Sequence, residues 1–439
     1  MVHATKLPTL SSVRGLTSRA PEFVLSTRAE GDCVWFSLGP RRAYFFHHPD
    51  AVEQILVTEA KALKKDLFTR QLKHSLGDGL LTIDGDRWKR RRRIAAPTLT
   101  KRQIERYADG MVEVAEQHAL AWEDGQRVDM HHEMMALTLR IVARTLFDTQ
   151  IDADVERFGA AMENVMAYWD AELNSWRRFL PAAVPTPGRL AVRKPLHMLD
   201  DMIRRVIAEK RAARVGGDDL ISRLLAASTA DGQALSDQDL LDEAKTFFAA
   251  GHETTAIALS MAFYFISQHP EAALALDEEL RQVLDGRRPT LDDVAALRYT
   301  DAIIRETLRL HPPAWILGRE NTVPLTVCGV RVPAKSQLLV SAFALHRDAR
   351  WFREPDAFSP ERWFSDVERP RFAYLPFGGG SRVCIGNHFA LMEATLVFAT
   401  LWQRWSATLD PGYRLERLAA ITMRPRHGVP VTLHARDGH

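Results

Sequence analysis

Between residues 84 and 320 apolar side chains recur mostly every third or fourth position, the repeat that lays one apolar stripe along a helix. Breaks are expected at Pro97, at the PAAVPTPG run (181 to 188), at Gly216-Gly217 and at Pro270, where proline removes a backbone donor or glycine loosens the chain. The longest helical run reaches from Ser236, an N-cap with Asp239 three residues on, to the stop at His269-Pro270. At 1.5 Å per residue its roughly 30 residues span about 45 Å, enough to cross a domain. Strand-like patterns sit outside this block. CVWFSLGPRRAYFFHHP (33 to 49) reads as a hairpin around Gly39-Pro40, with a helix DAVEQILVTEAKAL after it. LTVCGVRVPAKSQLLVSAFAL lies near 325 to 345, and ITMRPRHGVPVTLHA ends the chain in alternation. Residues 1–20 read as an irregular segment, with Pro8 and Gly15 interrupting any helix. The expected architecture is mainly α: one large helical domain over 1–439 with small β-sheets at its edges. A split at the Pro-rich run is disfavoured, because loops of that size also occur inside helical folds.

Composition changes this picture little. Of 439 residues 46% are hydrophobic and 26% charged, as in globular chains with a large core. A net charge of +2 does not point to nucleic acid. Three widely spaced cysteines, Cys33, Cys328 and Cys384, do not form a disulfide framework and fit a reducing, cytoplasmic setting. No window approaches 18 consecutive apolar residues, and the N-terminus lacks the apolar segment of a signal peptide. Only a faint echo of a transit peptide remains there, in Lys6, Arg14, Arg19 and several Ser/Thr.

Polar residues interrupt the long helix where it should be most buried: Gly251, His252, Glu253, Thr254 and Thr255 follow Phe247, Phe248, Ala249 and Ala250. A threonine hydroxyl can bond the carbonyl one turn back and bend the helix. Two readings stay open, a structural kink and a groove where Glu253 and Thr254 meet a ligand or water. A zinc-protease HExxH is ruled out because position 256 is alanine.

Three further constellations stand out. In YTDAIIRETLRLHPP, Glu306 and Arg309 share a helix face among apolar neighbours, and Arg362 in FSPERW is a candidate third member. In GDRWKRRRRIAAP, Trp88 and Arg92 share one face able to turn inward to an anion, while the other basic residues stay at the surface. In FGGGSRVCIGNHF, Cys384 is set among Gly378, Gly379, Gly380 and Gly386 just before a helix. Glycines let backbone N–H groups approach a sulfur, and a helix N-terminus adds positive potential, so the segment suits a thiolate metal ligand. A nucleophilic cysteine lacks a specific His partner signal, and a nucleotide loop lacks the strand and GxGxxG.

Taken together, WxxxR at 88 to 92, AGHETT at 250 to 255, ETLR at 306 to 309 and FGGGSRVCIG at 377 to 386 resemble the cytochrome P450 superfamily, in its order and over nearly the whole chain. The resemblance implies haem b, iron protoporphyrin IX, with Cys384 as the iron ligand and Phe377 packed beside it. It implies Trp88, Arg92, Arg319 and Arg382 on the haem propionates, and Glu306, Arg309 and Arg362 as a structural triad. Glu253 and Thr254 match the acid and alcohol that deliver protons to bound dioxygen. Phe247, Phe248, Ala250, Ala314, Trp315, Ile316, Ala420 and Ile421 are expected to line an apolar substrate pocket, with help from 67 to 82 and from AMENVMAYWDAEL (161 to 173). The implied activity is a soluble, bacterial-type monooxygenase, inserting one oxygen atom from O2 into a hydrophobic substrate by hydroxylation or epoxidation. Fatty acids, terpenoids, steroids and polyketides are all candidates. Its expected partners are that substrate and a ferredoxin or flavodoxin with its NAD(P)H-dependent reductase, since no such domain is fused. It is expected to act as a monomer without a membrane anchor. Basic residues between Lys89 and Arg93, with Arg371 and Arg404, are a candidate docking face for the acidic partner. A peroxide-using or isomerising haem-thiolate enzyme, or a non-catalytic haem sensor, are the alternatives.

Overall fold

The aromatic-rich segment forms its hairpin in the computed structural model of the chain, which describes residues 3–147, 152–173, 175, 177, 184–213, 217, 219–230 and 235–436. Strands β2 (Cys33–Leu38) and β3 (Arg41–Phe46) pair antiparallel from Cys33↔Phe46 to Leu38↔Arg41. Gly39, at φ 62°, makes the turn. Around this hairpin grows a six-stranded sheet in the order β1-β2-β3-β9-β6-β4, with β1 (Ala4–Lys6), β4 (Leu63–Lys65), β6 (Leu317–Asn321) and β9 (Gln337–Val340). Alternating side chains feed two apolar clusters, Tyr44, Phe46 and Leu338 in one, Phe36, Phe45 and Leu339 in the other. β7 (Leu325–Val327) and β8 (Val330–Val332) form a separate hairpin.

The N-terminal segment is not irregular. Besides β1 it contains helices Thr9–Ser18 and Ala20–Thr27. Pro8 stands at the N-cap, where a missing N–H costs nothing, and Gly15 lies inside the first helix because a Cβ there would fall 2.5 Å from the Phe23 ring. The helix expected after the hairpin is also shorter. It runs Pro49–Glu53, continues through a wider turn at Gln54–Thr58, and gives way to β4, whose pairing with β6 overrides local helix propensity. Of the expected breaks, Pro97 lies in a short 3₁₀ turn, while 181–183 and 214–216 lie outside the described residues.

The central helix, Asp237–Ile266, begins with a capping box between Ser236 and Asp239, as its sequence indicates. Most of its residues are buried, and it packs most extensively against helix Met130–Phe147. The main core gathers around it and around helices Arg298–Leu310 and Asn387–Arg404. A strand that periodicity does not reveal, β5 (Arg127–Asp129), lies within the helical block. It is there because β13 (Pro430–Ala435) pairs with it, in a sheet ordered β10-β13-β5 with β10 (Trp405–Leu409). The hairpin β11 (Arg417–Ala419) and β12 (Met423–Pro425) lies between β10 and β13 in sequence.

Candidate active site

Cys384 ends a tight loop in which its own N–H donates to the Phe377 carbonyl at 2.9 Å. Gly380 is required there by packing: at φ 66° its Cβ would lie 2.0 Å from the Leu56 carbonyl oxygen. The glycines therefore serve the loop's seat on the neighbouring chain more than the sulfur, and of them Gly386 sends its N–H to the thiol. The Cys384 side chain is accessible, yet protein surrounds it so closely that desolvation dominates its titration. Those two facts together put it on the wall of an enclosed space. Burial pushes its pKa up, while the Gly386 N–H and the Arg92 guanidinium favour the thiolate. Helix Asn387–Arg404 starts three residues beyond.

A buried ion cluster stands behind this loop. Glu306 and Arg309 are both fully buried, and the Glu306 carboxylate accepts from Arg309 Nη2 at 2.8 Å and Nε at 2.9 Å. It also accepts from Arg362 Nε at 2.8 Å, the Ser359 N–H at 3.0 Å and Trp363 Nε1 at 3.1 Å. Arg309 spends its remaining donor capacity on the carbonyls of His346, Pro355 and Ala357. The three residues picked out in the sequence thus meet. His346, which sequence reasoning did not single out, carries the cluster to the loop. Its Nε2 accepts the Leu375 N–H at 2.9 Å, which leaves Nδ1–H to donate to the Arg309 carbonyl at 3.2 Å. Burial and Arg309 hold this imidazole neutral, with its pKa lowered to about 3.

On the other side of Cys384 cations converge. Arg382 lies 4.3 Å from the Trp88 ring centroid, donates to the Ile83 carbonyl at 3.1 Å and reaches Asp84 at 2.5 Å. Its pKa falls to about 10 because burial, then Arg319 and Arg92, disfavour the charge that Asp84 supports. Arg319, on β6, is lowered by burial too, and its Nη1 bonds only the Gly318 carbonyl among the described residues. Arg92 is half-buried beside Cys384. Trp88, Arg92, Arg319 and Arg382 are therefore one neighbourhood, joined by two residues the motifs do not include, Lys65 and Asp84. One expectation fails here. Arg91 is not at the surface: it is 4% exposed, bonds Glu243 at 2.8 Å and Asp239, and has no face left for a docking partner. A helix turns 100° per residue, so the residue next to the inward Arg92 can itself be inward, toward the central helix.

Midway along the central helix burial gives way around Gly251. Ala250 is exposed and Thr254 half-exposed, four residues apart on one face, while His252, Glu253 and Thr255 are buried. The Thr254 hydroxyl donates to the Ala250 carbonyl at 2.7 Å and Thr255 to Gly251 at 3.2 Å. Glu253 accepts from the Thr422 hydroxyl at 2.9 Å and from Arg424 Nη1 at 3.3 Å, both brought by the C-terminal hairpin. Burial pushes its carboxyl up to about 7, with Thr422 opposing. Arg424 would oppose it further, but Asp170 of helix Asp152–Leu173 also contacts that guanidinium and shares its charge.

A cavity of about 140 Å³ opens beside the sheet, lined by Trp315, Ile316, Ala420 and Ile421, with Phe68, Thr69 and Leu72 from the 67–82 stretch. Leu16 and Ala20 of the N-terminal helices also line it, a contribution hidden by the assignment of 1–20 as irregular. Trp315 Nε1 donates to the Ala420 carbonyl at 3.2 Å, so the indole presents only its apolar faces. Phe247, Phe248, Ala250 and Ala314 do not line this cavity. Phe247 and Phe248 are buried, and Phe248 packs at 4.5 Å on Phe158, nearly opposite the Ala250 face.

The chain matches the family model described as Cytochrome P450 over residues 18–426, and it belongs to that family. It is 34% identical over 437 residues to a pentalenene oxygenase of Streptomyces avermitilis, covering 98% of this chain and 96% of the relative. It is 37% identical over 408 residues to a cyclooctatin synthase of Streptomyces melanosporofaciens, covering 91% and 88%. To a cyclooctat-9-en-7-ol 5-monooxygenase of the same organism it is 35% identical over 419 residues, covering 93% and 90%. The protein is thus a P450 oxidoreductase whose cofactor is haem. The residues present fit that group: an accessible thiol on an enclosed wall, converging cations short of carboxylates, and a bared stretch of an otherwise buried helix. Among the described residues no helix is long and apolar enough to cross a membrane.

Proposed function

We propose that this enzyme inserts one oxygen atom from O2 into a terpenoid hydrocarbon skeleton, by hydroxylation or epoxidation, with electrons from a separate ferredoxin or flavodoxin and its reductase. The observation that carries this reading is the pairing of Glu253, a carboxyl near pKa 7, with Thr254 on the bared face of the central helix. A haem iron bound through a thiolate supplies the O2-binding and O–O-cleaving chemistry that no side chain has.

The chain's own groups do the rest. Cys384 offers the sulfur, and the Gly386 N–H and Arg92 favour its ionised form. Phe377 closes the loop through its carbonyl. Arg92, Arg319 and Arg382, with Trp88 beneath Arg382, are suited to the cofactor's carboxylates. The Glu306–Arg309–Arg362 cluster holds the loop's scaffold rigid, acting through His346. Near neutral pH Glu253 both holds and releases a proton, and Thr254, its own hydrogen given to Ala250, keeps lone pairs free to accept one. Trp315, Ile316, Ala420 and Ile421 offer apolar contact, which matches the hydrocarbon character in the names of the relatives' substrates, pentalenene and cyclooctat-9-en-7-ol. Exposed Arg93 and Arg371 are suited to an acidic redox protein, and three free cysteines support a reducing, cytoplasmic location.

Turnover of pentalenene and cyclooctat-9-en-7-ol under isotopically labelled O2, with a ferredoxin and its reductase, tests this. Label in a product at rates well above those with hydrogen peroxide alone is the expected result. Equal or faster turnover with peroxide alone would convert the reading to a peroxide-using enzyme, and no turnover beside normal ligand binding would convert it to a sensor.

A further inference from the structure

Strands β4 and β6 pair antiparallel with Lys65 directly opposite Arg319. Residues in such register project on the same face, and like charges there repel. Lys65 is only 8% exposed, so water does little to screen the repulsion. Arg382 adds to it, and Arg92 in turn faces Arg382. Four cations therefore meet in one region.

The nearby carboxylates do not balance them. Asp84 binds the Lys65 backbone N–H with both oxygens at 3.1 Å and Arg382 at 2.5 Å. Asp66 caps the following helix by accepting the Thr69 N–H at 3.0 Å. The Lys65 ammonium has neither a hydrogen bond nor an ion pair with any described residue, and burial lowers its pKa to about 7, with Arg319 and Arg382 adding to the effect and Asp66 and Asp84 opposing it. With Lys65 protonated, four cations against two carboxylates leave an excess of two positive charges, matching the two propionates of one haem. A buried lysine without an acceptor, placed across from a second cation, is costly unless an anion joins them.

We propose that Lys65 is a fourth cation for the haem propionates, a positioning residue outside the family's sequence motifs in this chain. It stands with Arg92, Arg319 and Arg382, and its repulsion with Arg319 would be offset by the propionates when the cofactor is bound. This inference rests on the haem-thiolate reading of the site.

The test uses the purified holoenzyme. Haem transfer to excess apomyoglobin and the midpoint potential are measured for the wild type, Lys65→Met, Lys65→Gln and Lys65→Arg, after the wild-type ferrous carbon monoxide complex has shown thiolate ligation. Lys65→Met and Lys65→Gln should lose haem about ten- to a hundredfold faster, as for a lost charge-assisted hydrogen bond, and shift to lower potential, since a cation near the cofactor favours the added electron. Lys65→Arg should restore both. Wild-type haem loss and potential in Lys65→Met or Lys65→Gln would overturn the proposal, as would Lys65→Arg failing like the neutral variants. If Lys65→Met yields no holoenzyme, Lys65→Gln and Lys65→Arg decide by the same readouts. A wild type without thiolate ligation would instead overturn the reading beneath it.

Discussion

Glu306 and Glu253 are both buried carboxyls on helices that pack into one core, yet their surroundings assign them opposite behaviour. Five N–H groups from Arg309, Arg362, Ser359 and Trp363 surround Glu306, and Arg309 has every donor engaged. Glu253 meets a threonine hydroxyl and one guanidinium at 3.3 Å that Asp170 also contacts. Burial is common to both, so the supply of donors sets the difference. Surrounded, Glu306 is built into the scaffold, whereas under-supplied Glu253 becomes a group that trades protons near neutrality.

The harshest way to break this contrast is Arg309→Met, which takes from buried Glu306 one of its two guanidinium partners and leaves the carbonyls of His346, Pro355 and Ala357 without that donor. A loss of about 3–5 kcal/mol is expected in urea unfolding of the holoenzyme; a midpoint equal to the wild type's would show that the cluster is not structural. Glu253→Gln removes the proton carrier without stranding a charge. It should lower coupled turnover about a hundredfold and raise peroxide release, with little change in melting temperature. Unchanged coupling would remove Glu253 from proton delivery.

The pH dependence of stability sharpens the contrast further. Because the folded Glu253 carboxyl titrates near 7 and its unfolded reference is 4.5, the stabilisation from keeping its proton is complete below pH 4.5 and is lost as pH rises through 7. Wild-type stability relative to Glu253→Gln should therefore fall by roughly 1–3 kcal/mol between pH 4.5 and 7.5, measured by paired denaturant titrations. A flat difference would mean that Arg424 already holds the carboxylate ionised. The smallest change is Thr422→Val. It removes the hydroxyl that favours the carboxylate, so the pH inflection of turnover should move upward, by an amount corresponding to about 1 kcal/mol.

Local features were the legible ones. The capping box at Ser236 and Asp239, the aromatic hairpin and the i, i+3 pair Glu306/Arg309 are encoded within a few residues, and each is where its pattern puts it. What the sequence concealed depends on distant partners. Arg91 turns inward because Asp239 and Glu243 wait on another helix. Lys65 matters through its register with Arg319, and Thr422 and Arg424 matter because a hairpin near the C-terminus folds over Glu253. Gly15 looked like a helix breaker because the ring of Phe23, which fills the space beside it, is invisible to a local pattern.

Strand β13 also sets an order of events. It pairs with β5, about 300 residues earlier, and the hairpin just before it supplies the hydroxyl that Glu253 accepts across a separation of 169 residues. A ribosome has to release nearly the whole chain before the acid acquires its environment. Nascent chains, however well their helices have collapsed, hold Glu253 without the Thr422 hydroxyl and the Arg424 guanidinium that surround it in the finished fold.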